Sequence, residues 1–221
     1  ADADVAKLAK REFDKQGLKI LLGAKCSKSE IRNGEVHLTW TDKDGEKTQT
    51  FDKLLVAVGR RACTEKLLAQ GTGVKLDDRG RVLVDEHNWT GVEGVWGIGD
   101  CVRGPMLAHK AKEEGVMVAD LIAGLYGEIN YNLVPSGIYT APEIAWVGAT
   151  EEQVKHTGRA YKLGVFPFRA NGRARGMEAS QGFVKVIAAQ DDDEILGVHI
   201  IGPMAGELIA EAVLAMEYAA S

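Results

Sequence analysis

The residues best suited to chemistry are Gly99-Asp100 and the stretch that follows from Pro105. Asp100 is predicted to follow a strand, at the sheet edge where open α/β proteins bind ligands. A carboxylate there can accept hydrogen bonds from sugar or polyol hydroxyl groups. Pro105 is predicted to begin a helix, because proline is favoured at the first helical position. The first amides of that helix, at residues 106–109, would stabilise negative charge on a ligand in front of it.

On spacing alone, these residues also fit ordinary structural roles. A glycine followed by an aspartate is common in turns, where the carboxylate caps backbone amides. His109 equally fits a histidine packed on a helix face. Lys110, Glu113 and Glu114 are predicted to be surface charges or interface pairs, because residues three or four apart on a helix are neighbours.

Elements of an α/β domain precede this stretch. Apolar residues at helical spacing predict a first helix that Gly17 ends, and residues 18–22 are predicted to form a short strand. An antiparallel meander is predicted next, with turns at Asn33-Gly34 and Asp44-Gly45. The unbroken apolar run at residues 54–58 is typical of a strand buried on both faces, and it ends at Gly59. This order resembles the second half of a dinucleotide-binding domain.

The second part of the chain is predicted to be helical and then strand-rich. A hairpin is predicted around residues 77–80, and residues 92–98 lead to Gly99-Asp100. The helix after Pro105 has an apolar stripe, formed by Leu107, Ala111, Val118, Ile122 and Leu125. Beyond Tyr131 four strands are predicted, at residues 138–147, 163–168, 183–188 and 195–201. A final helix is predicted beyond Gly202-Pro203.

Composition narrows the class of protein. The chain has 221 residues, a net charge of −5 and 45% hydrophobic residues, which is ordinary for a globular protein of one or two domains. This charge does not favour nucleic acid or an anionic membrane as a partner, and no apolar run reaches membrane-spanning length. The three cysteines form no CxxC or zinc pattern, which favours free thiols in a cytosolic protein.

Five segments together resemble the dihydrolipoamide dehydrogenases of the pyridine nucleotide-disulphide oxidoreductase family. The most specific is Gly99-Asp100 followed by Pro-Met-Leu-Ala-His-Lys-Ala and Glu-Glu-Gly, which is similar to the flavin-contacting signature of those enzymes. The other four occur in the same order as in the family, at residues 51–60, 135–145, 165–168 and 195–203. The likeness therefore extends over the whole chain.

The resemblance implies an α/β fold in three parts. Residues 1–61 would be the C-terminal half of a Rossmann-like NAD-binding domain with a β-meander insertion. Residues 62–130 would belong to the central, FAD-contacting domain, and residues 131–221 to an α+β interface domain that forms a homodimer. The resemblance also implies the cofactor contacts: Asp100, Met106, Leu107, Ala108 and His109 for FAD, and Gly59 and Cys26 for NAD. From the residues alone, Cys26 is equally a small buried strand residue.

The resemblance also implies what the chain lacks. Members of the family carry two cysteines separated by four residues, which exchange electrons with the flavin, and a terminal His-Pro-Thr element with a nearby glutamate. Neither occurs here, so no catalytic residue is expected in this chain, and we expect these 221 residues to be inactive by themselves.

The complete protein would reduce NAD with electrons from dihydrolipoamide. Its partner would be the lipoyl domain of 2-oxo acid dehydrogenase or glycine-cleavage complexes, in the cytoplasm or the mitochondrial matrix. The alternatives are a mercuric reductase, a glutathione reductase, a soluble transhydrogenase or a non-catalytic module.

Overall fold

The computed structural model describes residues 1–220, which divide into two compact units. The smaller comprises Lys10–Gly59, and the larger comprises Ala1–Ala9 with the chain from Arg60 onward. Helix α1 (Ala3–Lys15) contributes to both units. It has an acid in its first turn and a base in its last, which suits the helix dipole. The predicted first helix is thus confirmed.

An antiparallel sheet of three strands fills the smaller unit. Its strands are β1 (Lys25–Arg32), β2 (Glu35–Asp42) and β3 (Gly45–Phe51), in the order β1-β2-β3. Asn33 and Gly34 join the first two strands and both have positive φ, at 54° and 85°. A two-residue turn of that kind matches the twist of paired strands. The predicted meander is therefore confirmed.

Two predicted strands of this unit do not form. Residues 18–22 and 54–58 have no strand conformation, and no described strand pairs with either segment. Most of their side chains are open to solvent: Leu55 is 89% exposed and Val58 is 91% exposed. A strand needs a neighbour for its backbone hydrogen bonds and for its apolar faces. The apolar composition of these segments was not sufficient to predict a strand.

The first part of the larger unit is mostly irregular. The predicted hairpin is present as a bridge between Leu76 and Val82. Residues 92–98 are not a strand and contribute only an isolated bridge from Trp96 to Trp89. Asp100 therefore lies in a 3-10 turn, Gly99–Cys101, and not directly after a strand. Helix α2 (Ala108–Ile122) follows.

The predicted apolar stripe on α2 is only partly correct. Val118 is buried, whereas Ile122 is 62% exposed and Leu125 lies beyond the end of the helix. The remaining buried positions of α2 are Lys110, Glu114 and Met117. The buried face of the helix therefore includes two charged residues that the apolar pattern did not identify.

A five-stranded antiparallel sheet forms the rest of the larger unit. Its strand order is β4-β5-β8-β7-β6. The strands are β4 (Ser136–Ile138), β5 (Glu143–Gly148), β6 (Tyr161–Pro167), β7 (Phe183–Ala189) and β8 (Ile195–Gly202). The helices are α3 (Glu151–Thr157), α4 (Gly172–Gly176) and α5 (Ala205–Glu217). The last three predicted strands and the final helix are confirmed.

Two features of this sheet differ from the prediction. The strand predicted at residues 138–147 is two strands, β4 and β5, joined by a turn that contains the cis peptide bond Ala141-Pro142. Helix α3 was not predicted, although its sequence carries a signal. Thr150 and Gln153 form a capping box, in which each side chain binds the backbone amide of the other residue.

The core of this sheet lies between β5, β8 and α5. Its buried apolar side chains are Ala145, Val147, Val198, Ile200, Ala205 and Ile209. The fold is mixed α/β, as predicted. Among residues 1–220, no helix is both long and apolar enough to cross a membrane.

Candidate functional site

The Gly99–Cys101 turn places Asp100 on the surface. The Asp100 side chain is 51% exposed, so its carboxylate can reach a ligand. Gly99 is buried and has a φ of +76°, in the left-handed region that side chains rarely adopt. A Cβ at this position would lie only 3.3 Å from the Cβ of Ala111. The tight turn under Asp100 therefore favours glycine.

A buried ion pair on α2 holds this turn. Lys110 and Glu114 are each fully buried and lie 3.0 Å apart. Glu114 accepts a hydrogen bond of 2.6 Å from the Gly99 amide, and Lys110 donates one of 3.0 Å to the Gly99 carbonyl. The prediction that these two charges lie on the helix surface is wrong, whereas Glu113 is exposed as predicted. The i,i+4 spacing of a lysine and a glutamate is the same in exposed and buried pairs, so the sequence contained no signal for this burial.

Tyr131 completes the polar cluster from another part of the chain. Its hydroxyl group donates a hydrogen bond of 3.0 Å to the second oxygen of Glu114. Burial, and after it this hydrogen bond, raises the pKa of Tyr131 to about 12. The guanidinium group of Arg103 lies 5.7 Å from the centre of the Tyr131 ring. The phenol therefore stays protonated and remains a donor to Glu114.

Arg60 connects Asp100 with the segment before α2. One guanidinium nitrogen lies 3.5 Å from the Asp100 carboxylate, and another donates a hydrogen bond to the carbonyl oxygen of Met106. Arg60 thus contacts both Asp100 and the backbone of Met106. Arg60 was not among the predicted site residues, because no local pattern marks an arginine that reaches 40 positions along the chain.

Helix α2 begins at Ala108, three positions after the predicted start at Pro105. Leu107 is the N-cap residue, its backbone is extended, and no side chain caps the helix. The first amides of the helix therefore lack helical partners and are free to bind an acceptor. The ring of His109 is exposed and is not packed on a helix face. Its Nε2 donates a hydrogen bond of 2.7 Å to the carbonyl oxygen of Pro135.

Gly59 and Cys26 lie in the smaller unit. Gly59 has a φ of +105°, and no atom lies within 4 Å of the position that a Cβ would take. Cys26 pairs with Trp40 across β1 and β2 and is exposed, so the alternative of a small buried residue is wrong. Both residues are accessible within their unit.

Comparison with known proteins identifies the family. The sequence profile described as pyridine nucleotide-disulphide oxidoreductase matches residues 1–115, and the dimerisation domain of the same family matches residues 134–221. The chain belongs to the pyridine nucleotide-disulphide oxidoreductase family. The dimerisation domain accounts for the last part of the chain, from residue 134 onward.

Relatives in this family cover the whole chain. The dihydrolipoyl dehydrogenase of Cupriavidus necator is 53% identical over 100% of this chain and 47% of its own length. The mitochondrial dihydrolipoyl dehydrogenase of Caenorhabditis elegans is 51% identical over 100% of this chain and 45% of its own length. This chain therefore spans about half the length of these curated relatives.

Solved structures of the family have the same fold. LpdA from Mycobacterium tuberculosis superimposes with a TM-score of 0.90 at 26% identity, over 99% of this chain and 47% of that chain. The HOCl-induced flavoprotein disulfide reductase RclA from Escherichia coli, solved as the Cu(II) complex of a cysteine-to-serine mutant, has a TM-score of 0.89 at 25% identity, over 99% of this chain and 49% of that chain. The predicted fold class and family are confirmed.

Proposed function

We propose that this chain is part of a dihydrolipoyl dehydrogenase, which oxidises dihydrolipoamide and reduces NAD through a redox disulphide and FAD. Relatives named dihydrolipoyl dehydrogenase match the chain over its whole length, which supports this proposal. The supporting geometry is a solvent-accessible carboxylate beside an uncapped helix start. We infer a homodimer, in line with the matched dimerisation domain.

The exposed carboxylate of Asp100 is the observation that carries the proposal. The Gly99 turn fixes the backbone of Asp100, while the Asp100 side chain remains 51% exposed. A fixed carboxylate that water can reach is suited to accept hydrogen bonds from the hydroxyl groups of the FAD ribitol. A hydrogen bond to a charged group contributes about 1.5–3 kcal/mol. Losing it should therefore weaken flavin retention measurably.

The start of α2 supplies the second part of the proposed flavin site. Bound FAD carries electrons between the redox disulphide and NAD. Residues of the helix start would line its ring: Met106, Leu107, Ala108 and His109. The uncapped amides at Ala108 and His109 favour negative charge in front of the helix by about 0.3–2 kcal/mol. The hydrogen bond from His109 to Pro135 fixes the imidazole ring, so we assign His109 a binding role.

Gly59 and Cys26 are proposed to contact NAD. The free space at Gly59 would allow a dinucleotide to approach the backbone closely, and any side chain there would occupy it. Cys26 is exposed and would offer a backbone contact near the adenine. We assign no catalytic role to residues of this chain. The domain boundaries at residues 61 and 130 remain part of this proposal.

The partner of the complete protein is proposed to be a lipoyl domain of a 2-oxo acid dehydrogenase or glycine-cleavage complex. This follows from the substrate, because dihydrolipoamide is carried on such a domain. The relatives include bacterial and mitochondrial forms, so the proposed compartment is the bacterial cytoplasm or the mitochondrial matrix.

Flavin retention tests the assigned site. We expect Asp100→Ala in the intact protein to lose FAD during dialysis while the unsubstituted protein keeps it. The matched control is Asp78→Ala, which removes an exposed acid from a turn of the same unit. Equal FAD occupancy in the three proteins would remove Asp100 from the site.

Substrate assays test the assigned activity. The intact protein should reduce NAD with dihydrolipoamide and should accept lipoyl domain as a substrate. Faster turnover with oxidised glutathione, with Hg(II), or between NADPH and NAD would assign it to a glutathione reductase, a mercuric reductase or a transhydrogenase instead. A protein that binds no flavin and turns over none of these substrates would be a non-catalytic module.

A further inference from the structure

Two side chains from one turn of α2 bind the backbone of Gly99. One binds its amide N–H and the other binds its carbonyl oxygen. Its amide N–H belongs to the peptide plane before it and donates to Glu114, with 2.6 Å between the nitrogen and the carboxylate oxygen. Its carbonyl oxygen belongs to the peptide plane that leads into Asp100, and it accepts from Lys110 at 3.0 Å. Fixing both planes fixes both backbone torsions of Gly99. The direction in which the chain enters Asp100 is set in this way.

Apolar side chains could not perform this task. Replacing a buried ion pair with hydrophobic residues of similar size is often neutral for stability or stabilising. Such residues would pack as well as Lys110 and Glu114, but they would offer neither an acceptor to the Gly99 amide nor a donor to its carbonyl oxygen. The backbone of the turn therefore depends on the polar groups of the pair and not only on their volume.

We propose that Lys110 and Glu114 are positioning residues for the Asp100 carboxylate. They act through the backbone of Gly99, and neither side chain reaches the surface on which Asp100 is exposed. The inference rests on the flavin site proposed above and adds to it the residues that give the carboxylate its orientation. The hydroxyl group of Tyr131 helps to hold Glu114 in place, because it binds the same Glu114 oxygen that contacts Lys110.

Glu114 has no spare oxygen in this arrangement. Its Oε2 accepts from the Gly99 amide, while its Oε1 lies 3.0 Å from both the Lys110 ammonium and the Tyr131 hydroxyl group. Both oxygens are thus tied to different parts of the chain, which prevents the carboxylate from rotating. A carboxylate held in this way can keep the backbone of the Gly99 turn in one orientation.

The test is a double-mutant cycle in the intact protein, measured as the dissociation constant of FAD on reconstitution of the apoprotein. The pair is replaced by Lys110→Met with Glu114→Leu, both in the unsubstituted protein and in the Asp100→Ala background. We expect the pair replacement to weaken FAD binding about tenfold, the lower end of the loss that follows when residues orienting metal ligands are replaced. In the Asp100→Ala background it should change FAD affinity less than twofold, because the carboxylate to be oriented is gone.

The matched control replaces an exposed ion pair of the same spacing. Lys10 and Asp14 on α1 form an i,i+4 pair and are 38% and 46% exposed, and Lys10→Met with Asp14→Asn should leave FAD affinity unchanged. Urea unfolding of the apoproteins measures their stability separately. A loss of FAD affinity can then be distinguished from a loss of folded protein. The visible circular dichroism of the bound flavin should also change in the pair replacement, because it reports on the geometry around the ring.

Each outcome decides between the two proposals. Unchanged FAD affinity in Asp100→Ala alone would contradict the flavin site. Weakened binding in Asp100→Ala with normal binding in the pair replacement would contradict only the positioning role. An equal loss in both backgrounds would show that the pair acts independently of Asp100 and would also overturn it. If the pair replacement does not fold, Tyr131→Phe removes one hydrogen bond from Glu114 and should weaken FAD binding roughly threefold in the same cycle.

Discussion

The ammonium group of Lys185 lies 2.9 Å from the carboxylate of Asp2, although 183 positions separate the two residues in the chain. The same group lies 2.7 Å from Asp4 and 2.6 Å from Glu151. Burial by itself would lower the pKa of Lys185, but hydrogen bonds to the three acids outweigh it and raise the pKa above its usual value. The start of α1 is thus joined to the five-stranded sheet through a buried cation.

Removing this cation should destabilise the protein strongly. Lys185 and Asp2 are each 1% exposed, so Lys185→Met leaves a buried carboxylate without its cation. Breaking a buried pair by removing one partner costs about 3–5 kcal/mol. We expect the free energy of unfolding of Lys185→Met, measured by urea titration at pH 7, to fall by about that amount.

The control for this substitution lies on the neighbouring strand. Lys162 on β6 pairs with Asp193, and both side chains are about half exposed, at 48% and 55%. Exposed pairs contribute little to stability, so Lys162→Met should leave the urea midpoint close to that of the unsubstituted protein. Similar losses in the two variants would mean that the Lys185 cluster does not behave as a buried pair.

The same cluster predicts a loss of stability in acid. The hydrogen bond from Lys155, followed by that from Lys185, lowers the pKa of Glu151 from 4.5 to about 2. In the unfolded chain this carboxylate takes up a proton as the pH falls through 4.5, whereas in the folded protein it remains ionised until about pH 2. Its contribution to stability is therefore complete above pH 4.5 and is lost between pH 4.5 and about 2.

Comparison with Glu151→Gln measures this contribution. The difference in the free energy of unfolding between the unsubstituted protein and Glu151→Gln should be largest above pH 5 and should narrow as the pH falls toward 2. A difference that is constant over this range would show that the stabilisation by Glu151 does not depend on its charge.

Local patterns were sufficient to predict part of this structure. The turn at Asn33-Gly34 was predicted because a two-residue hairpin turn requires positive φ at both positions, and those two residue types adopt it readily. Strands β6 to β8 and helix α5 were predicted from apolar runs and a glycine-proline break. Each of these features is determined by residues close together in the sequence.

Features that depend on distant neighbours could not be predicted in this way. The apolar run around Val56 suggested a buried strand, but burial requires adjacent strands, and no described strand lies beside it. Lys110 and Glu114 have the spacing of an exposed pair, and only the fold places the Gly99 backbone between them. Asp100 was predicted to follow a strand but lies in a 3-10 turn, and its contact with Arg60 involves residues 40 positions apart.

His199 on β8 should make stability decrease in mild acid. Its ring is buried, and burial lowers its pKa below the ordinary 6.5. Nε2 donates to the carbonyl oxygen of Ala149 at 3.0 Å, and Nδ1 has no hydrogen-bond partner within residues 1–220. Below pH 6.5 the unfolded chain binds a proton that the folded ring does not, so stability falls as the pH decreases.

The variant His199→Leu removes this proton uptake. It also leaves the Ala149 carbonyl oxygen without its donor, which should cost about 1–3 kcal/mol at pH 8. The unsubstituted protein should therefore be more stable at pH 8, and its advantage should narrow as the pH falls below 6.5. Parallel curves of unfolding free energy against pH would contradict a neutral, buried His199.

Gly99 should be more sensitive to substitution than a glycine with the same backbone angle elsewhere. Gly99 and Gly124 have φ values of +76° and +74°, so alanine at either position adopts a strained backbone that costs about 1–2 kcal/mol. Nothing lies within 4 Å of a Cβ at Gly124, whereas at Gly99 the Cβ of Ala111 lies 3.3 Å away.

Comparison of the two variants isolates the effect of that contact. The added methyl group at Gly99 would push the turn away from α2 and lengthen its hydrogen bonds to Lys110 and Glu114. We expect Gly99→Ala to lose about 1 kcal/mol more stability than Gly124→Ala in urea unfolding, in line with the destabilisation caused by overpacking. Gly99→Ala should also release FAD faster on dialysis, while Gly124→Ala retains it. Equal stability and equal FAD retention in the two variants would show that the turn under Asp100 tolerates displacement, and that its geometry does not determine flavin binding.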